Sequence, residues 1–401
     1  MLRRRRLIAA AAGGLAAPWV ARAATMPGVT KTSIRIGQTM PYSGPASAYG
    51  VIGRAHAAYF DMLNASGGIG GRTIELLSAD DGYSPPRTVE ETRRLVESEG
   101  VSFLFNGLGT ACQTAVRQYL NGRKVPQLFV STGADKWADP EHFPWTVGLQ
   151  PSYRTEAQIY AKHIQREAPA AKLAVLHQND DFGRDYLAGL RDVLGPQYDR
   201  IVIRTASYEV TDPTVDSQVV SLHESGADTL LTAAVPKPAA QAIRKVAEIG
   251  WHPLHYLTNV SASAKAVMVP AGAENGRGII AGVYFKDPTD PRWANDPGME
   301  TWRSFARKWA PEADQADAFN VYGYVGVLTL KHVLQQCGDD LSRENIMRRA
   351  ANLQDLEIPV LLPGIKVNTS PTNFHPIRQM QLARWTGTSW ELFGDVLEGS
   401  A

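Results

Sequence analysis

Short runs of apolar residues recur along the chain, separated by amphipathic stretches. Ile34–Met40, Ile74–Ala79, Ser102–Asn106, Gln127–Ser131, Lys172–His177, Ile201–Ser207, Thr229–Val235 and Leu254–Thr258 each read as a strand buried on both faces, because their apolar positions are continuous rather than alternating. The stretches between them carry helical spacing. Ala157, Tyr160, Ala161 and Ile164 share one face, while Lys162, Gln165 and Arg166 fall on the other. Regular alternation of strand and helix predicts parallel sheets. The pattern restarts near Pro151, after the Trp/Pro/Gly-rich stretch Trp137–Gln150, so the expected fold is α/β with two doubly wound lobes rather than one large sheet. Residues 24–150 with 284–355 are expected to form the first lobe, and 151–283 with 356–401 the second. In the C-terminal third the alternation gives way to helices over Trp302–Trp309, Ala318–Leu334 and Arg343–Leu353. An antiparallel pair follows, Arg378–Trp385 with Trp390–Phe393 around Gly387. These segments are expected to cover both lobes.

Composition narrows the classes. The 401 residues, 44% of them hydrophobic, with 41 Lys+Arg against 40 Asp+Glu, exclude a disordered or collagen-like chain, and two cysteines exclude a disulfide scaffold or a four-thiolate zinc site. Balanced charge offers no basic excess for nucleic acid. The charge is unevenly placed, however. Residues 1–23 hold Arg3, Arg4, Arg5, Arg6 and Arg22 and no acid, so the remainder is formally −4. The arginines, the apolar stretch Leu7–Ala17 and the small-x-small site Ala21-Arg22-Ala23 read as a cleaved secretory signal with the mature start at Ala24. The arginine cluster ahead of Leu7-Ile8 suits a twin-arginine route as well as the general one. No later run approaches the ~18 apolar residues of a membrane helix. The expected product is a periplasmic protein, with Cys112 and Cys337 as two separate buried thiols.

Signatures of catalysis are missing: there is no G-x-S-x-G, H-E-x-x-H or G-x-x-x-x-G-K-[ST]. The nine histidines show no ligand spacing. Gly107-Leu108-Gly109-Thr110-Ala111-Cys112 approximates a dinucleotide fingerprint but has Cys where the third glycine belongs. Asp80-Asp81 and Asp180-Asp181 end strands, where acidic pairs cap the next helix more often than they bind metal. Neither a metal nor a cofactor is expected. Ligands of open α/β lobes sit at the carboxyl ends of strands, against unpaired helix N–H groups. Three turns there are small and polar: Tyr42-Ser43-Gly44-Pro45, Gly107-Leu108-Gly109-Thr110 and Ser131-Thr132-Gly133-Ala134. Together they make a cradle suited to a carboxylate. Tyr42, Tyr49, Tyr83, Trp137, Tyr153 and Phe182 lie around these turns, and about half are expected to be core packing. Trp137 could be a pocket wall or lobe packing.

Met40-Pro41-Tyr42-Ser43-Gly44-Pro45 with Tyr49-Gly50, Asn64-Ala65-Ser66-Gly67-Gly68-Ile69, Asp80-Asp81, Val125-Pro126, Gln178-Asn179-Asp180-Asp181-Phe182-Gly183 and Val321-Tyr322-Gly323-Tyr324 resemble, in order and spacing, the leucine/isoleucine/valine-binding proteins. These are the type I substrate-binding proteins of ABC transporters. The resemblance implies two lobes joined by a three-crossover hinge, a non-enzymatic monomer that closes on a small-molecule ligand, and an ABC permease as partner. It places the carboxylate holders at Thr110 and the Gly133–Asp135 loop, with aromatic contacts at Tyr49 and Phe182. The acid that would pair with a ligand ammonium falls at or beside Val260, a second-lobe tyrosine falls near Val235, and a threonine of the carboxylate loop falls at Asp135. The candidate binding residues are therefore Tyr42, Tyr49, Leu108, Gly109, Thr110, Thr132, Gly133, Asp135, Tyr153, Phe182, Val235 and Val260. Lacking an ammonium partner, the site is expected to take an organic acid such as an aromatic carboxylate, unless an acid from elsewhere, Asp135 or Glu274, restores one. The alternatives are an amino acid or an amide or urea-like solute, bound for transport or sensing. From another class, the alternative is a secreted cofactor-dependent α/β enzyme using the Gly107–Cys112 turn.

Overall fold

The computed structural model describes residues 26–399. The arginine-rich start and its cleavage site lie outside the described residues. Two sheets organise the chain. The first has five parallel strands in the order β2-β1-β3-β4-β5: β1 (Ser33–Met40), β2 (Thr73–Asp80), β3 (Leu104–Phe105), β4 (Gln127–Val130) and β5 (Thr146–Gly148). The second has seven strands in the order β12-β11-β10-β9-β8-β6-β7: β6 (Leu173–Gln178), β7 (Val202–Tyr208), β8 (Thr229–Ala233), β9 (Leu254–Leu257), β10 (Ile280–Val283), β11 (Gln379–Trp385) and β12 (Trp390–Glu398). Strands β6–β10 are parallel, and β11 and β12 add an antiparallel edge. All eight apolar runs are strands. Besides the antiparallel pair β11 and β12, two strands have no such run: β5 is three residues inside a Trp/Pro/Gly-rich stretch, and β10 is broken by Ala281-Gly282.

The chain passes between the sheets three times: after β5, after β10 and before β11. The second and third passages pair with each other, through Leu362 N–H to Tyr284 O (3.0 Å) and Lys286 N–H to Val360 O (2.8 Å). Helices Pro297–Trp309, Ala318–Cys337 and Arg343–Ala350 stack on the first sheet's side, where Ala318–Cys337 packs along helix Gly50–Ala65. Gly323 permits this approach, because a Cβ there would stand 3.0 Å from Ala55 Cβ and 3.1 Å from Ile52 O. The close contact carries Phe319 and Tyr322 toward the carboxyl ends of the first sheet's strands. Both cysteines are buried and free. Among the described residues no helix is long and apolar enough to cross a membrane, and no group of three His, Cys, Asp or Glu could hold a metal.

Candidate binding site

The strand ends of the two sheets face each other across a narrow cavity with about 500 Å³ of atom-free space. On the first sheet's side, the turn after β3 runs into helix Thr110–Gly122. Gly109 holds φ at +99°, and a Cβ there would lie 2.6 Å from the Tyr83 ring, so only glycine lets the chain turn under this tyrosine. Gly109 also occupies the helix N-cap without a side chain to satisfy the first N–H groups, which leaves them for a ligand. Next to them, Thr132 Oγ1 accepts from the Ala134 N–H (3.2 Å) and Trp137 Nε1–H (3.4 Å) and lies 2.6 Å from Thr110 Oγ1. With its lone pairs engaged, Thr132 donates to Thr110, and the Thr110 hydroxyl hydrogen is free for a group in the cavity. Ser131 Oγ and Gln150 Oε1 also border the space, both buried and without a hydrogen-bond partner among the described residues.

The second sheet contributes Phe182, at the start of helix Asp181–Leu194, where Asp180 caps the Gly183 N–H (3.4 Å). Val235 follows β8 and Asn259-Val260 follow β9. The Tyr153 ring packs 4.7 Å from Phe182, and Tyr49 packs 5.0 Å from Phe319. Tyr49 also spans the lobes by donating its hydroxyl to Val260 O at 2.9 Å. Burial pushes the Tyr49, Tyr83 and Tyr153 phenols above their ordinary range, so all three remain protonated. Eight of the eighteen lining residues are aromatic, and none is Asp, Glu, Lys, Arg or His.

Nine of the residues expected from sequence border this space: Tyr49, Leu108, Gly109, Thr110, Thr132, Tyr153, Phe182, Val235 and Val260. Three do not. Tyr42 turns outward because its hydroxyl bonds Ser78 Oγ (2.6 Å) and its ring covers Gly53. Gly133 sits behind Tyr153, whose N–H it accepts at 2.7 Å. Asp135 faces away from the cavity, held by Ser152 Oγ (2.8 Å) with Arg154 and His375 at 3.6 and 3.8 Å, and so does not oppose an anion inside. Glu274 pairs with Arg277 on the surface; neither acid restores an ammonium site. Trp137 does not border this cavity; Arg117 of the same lobe lies 5.4 Å from its ring centre.

Sequence reasoning missed Ile52, Gln150, Asn259, Tyr284, Phe285, Phe319 and Tyr322 as lining residues, placed Ser131 only in the cradle turn, and named Tyr83 only as a neighbour. Gln150, Tyr284 and Phe285 lie on the passages between the sheets, which no local pattern marks.

Residues 33–389 match the model of a family described as periplasmic binding protein. The chain belongs to this family. The Leu/Ile/Val-binding protein homolog 3 of Brucella melitensis is 23% identical over 316 residues, 76% of this chain and 79% of that one. Among solved structures, a branched-chain amino acid ABC transporter protein from Thermus thermophilus with bound valine superposes with TM-score 0.82 at 14% identity, covering 93% of this chain and 98% of its own. A solute-binding protein of an ABC transporter from R. palustris in complex with benzoate gives 0.76 at 18% identity, covering 92% and 97%. At these identities the likeness is one of fold: two α/β lobes of the type I periplasmic binding proteins, a family of binding proteins rather than enzymes.

Proposed function

We propose that this chain is the periplasmic solute-binding component of an ABC importer, capturing a small organic acid with a flat apolar body, such as an aromatic carboxylate. The observation that carries the reading is the cavity's chemistry. Helix N–H groups and the Thr110 hydroxyl converge at one end, aromatic rings form the walls, and no charged side chain borders the space. Uncharged donors at a helix start suit a carboxylate. A buried ammonium without a carboxylate partner costs several kcal/mol, more than an apolar contact returns, so free amino acids are disfavoured. The Val235 and Val260 side chains stand where an amino-acid binder would need polar groups. The benzoate held by the R. palustris protein of the same fold supports the reading.

In this reading residues 24–150 with 284–355 form one lobe and 151–283 with 356–401 the other, supported by the membership of the two sheets. Residues 1–23 are the export signal, the mature protein is a monomer, and a permease receives its ligand. Ligand contacts on both lobes drive closure by their differential affinity for the closed form. A thermal-shift panel of benzoate, leucine, valine, acetamide and urea tests the proposal. Benzoate should raise the melting temperature and leucine and valine should not; stabilisation by leucine or valine alone overturns it.

A further inference from the structure

One buried carboxylate behind the cavity has no part in the scheme above. Glu156, on helix Tyr153–Glu167, is fully buried and has no ion-pair partner among the described residues. Both its oxygens grip Asn259. Oε1 accepts the Asn259 backbone N–H (2.8 Å) and Oε2 accepts its side-chain Nδ2–H. The Tyr186 hydroxyl donates to Oε2 at 2.6 Å, and the Tyr160 hydroxyl bonds Oε1. Asn259 borders the cavity at the carboxyl end of β9. Since the carboxylate takes Nδ2, the atom that Asn259 offers to the cavity is Oδ1, which accepts no hydrogen bond among the described residues. Gln150 Oε1 is a second acceptor there without a donor.

From this geometry, and resting on the carboxylate reading above, we propose that Asn259 is the specificity-determining acceptor of the site. The ligand then carries, besides its carboxylate, a hydroxyl that donates to Asn259 Oδ1, and Glu156 is a positioning residue that fixes the amide. A neutral hydroxyl matches a single amide oxygen, whereas an ammonium brings three donors and a charge. A polar site built to receive a hydroxyl discriminates against the analogue lacking it, because its acceptor is then left unpaired.

Calorimetric titration with benzoate, 3-hydroxybenzoate and 4-hydroxybenzoate tests this. One of the hydroxybenzoates should bind at least about tenfold tighter than benzoate. Asn259→Leu should reduce that ratio to within about threefold, whatever its effect on benzoate affinity itself. Glu156→Gln should also lower the ratio, whereas a purely structural Glu156 would weaken all three ligands equally. Should Glu156→Gln fail to fold, the Asn259→Leu ratio carries the test. Benzoate binding as tightly as both hydroxybenzoates overturns this inference and leaves the carboxylate reading standing. Binding of none of the three acids overturns the carboxylate reading itself.

Discussion

Replacing Thr110 by valine keeps the side chain's shape and removes one hydroxyl. Within the protein, the loss is the 2.6 Å bond to Thr132, a neutral pair worth about 1 kcal/mol. In the proposed complex, the loss is the hydrogen that Thr110 turns toward the ligand carboxylate, because Thr132 is already engaged by the Ala134 N–H and Trp137 Nε1–H. A hydrogen bond to a charged group contributes roughly 1.5–3 kcal/mol, so benzoate affinity should fall roughly 10- to 150-fold at 1.4 kcal/mol per tenfold. Thr110→Ser retains the donor and should stay within about threefold of wild type. Thr132→Val should weaken binding less than Thr110→Val, since it acts only through the orientation of the Thr110 hydroxyl. Calorimetry with benzoate supplies the affinities and thermal melting separates them from stability. Thr110→Val binding within twofold of wild type, or Thr110→Ser failing as badly as valine, would refute the relay.

Gly109→Ala imposes a side chain at φ +99° and presses on Tyr83; it should destabilise by about 1–3 kcal/mol in denaturant unfolding and weaken ligand binding, and an unchanged midpoint would count against the constraint. Burial pushes the Glu156 carboxyl up to about 7, whereas an unfolded glutamate titrates near ~4.3. The folded state therefore binds the extra proton between these values, so its stability falls as pH rises from about 4.3 to about 7 and the full penalty is present above 7. The melting temperature of wild type minus that of Glu156→Gln should accordingly be larger at pH 5 than at pH 8, and equal differences would exclude the linkage. Lys136→Ala removes a half-buried interlobe pair, Nζ to Asp181 Oδ2 at 2.5 Å, worth on the order of 1 kcal/mol; affinities for benzoate and for both hydroxybenzoates should fall by one shared factor below about fivefold, and a ligand-dependent change would place the lysine in recognition. N-terminal sequencing of the protein recovered from the native periplasm should begin at or near Ala24, and an intact Met1 start would contradict export by a cleaved signal.

The legible part of this fold is the part written in runs. A strand buried on both faces must be apolar throughout, and each of the eight such runs became a strand, although β2 and β7, at the sheet edges, keep one side partly open to water. β5 and β10 were hidden because three or four residues with Gly and Ala carry no periodicity, and their pairing is supplied by longer neighbours. The same division holds in the site. Leu108, Gly109, Thr110 and Thr132 could be found because a strand-to-helix turn at a sheet's carboxyl edge must present small residues and free N–H groups. Phe319 and Tyr322 read only as members of a buried helix. What aims them at the cavity is the close packing permitted by Gly323 against residues more than 250 positions earlier. Asn259 is adjacent to a position that the resemblance marked, but its meaning depends on Glu156, 103 residues away.

In the proposed binding cycle, closure follows from the balance of polar groups. The contacts joining the lobes outside the cavity include Lys136 with Asp181, Lys265 with Asp314 at 2.9 Å, the Asp135 N–H with Asp185 at 2.8 Å, Ser263 with Asp317 at 3.2 Å, and the Asp135 carboxylate with Ser152, Arg154 and His375. The solvent-reached ion pairs among them contribute about 0–1 kcal/mol each, and the buried Ser263 bond to the Asp317 carboxyl about 1.5–3 kcal/mol. Against them, an empty closed cavity isolates Ser131 Oγ and Gln150 Oε1 from water, at about 1–3 kcal/mol for each unsatisfied group. This second sum reduces what the empty protein gains by closing. A ligand that donates to these acceptors and accepts from the Thr110 end reverses the sign of the second sum while adding its own buried surface. The polar atoms left without partners are thus what make closure depend on the ligand, and a solute that fills the space without satisfying them would close the lobes weakly.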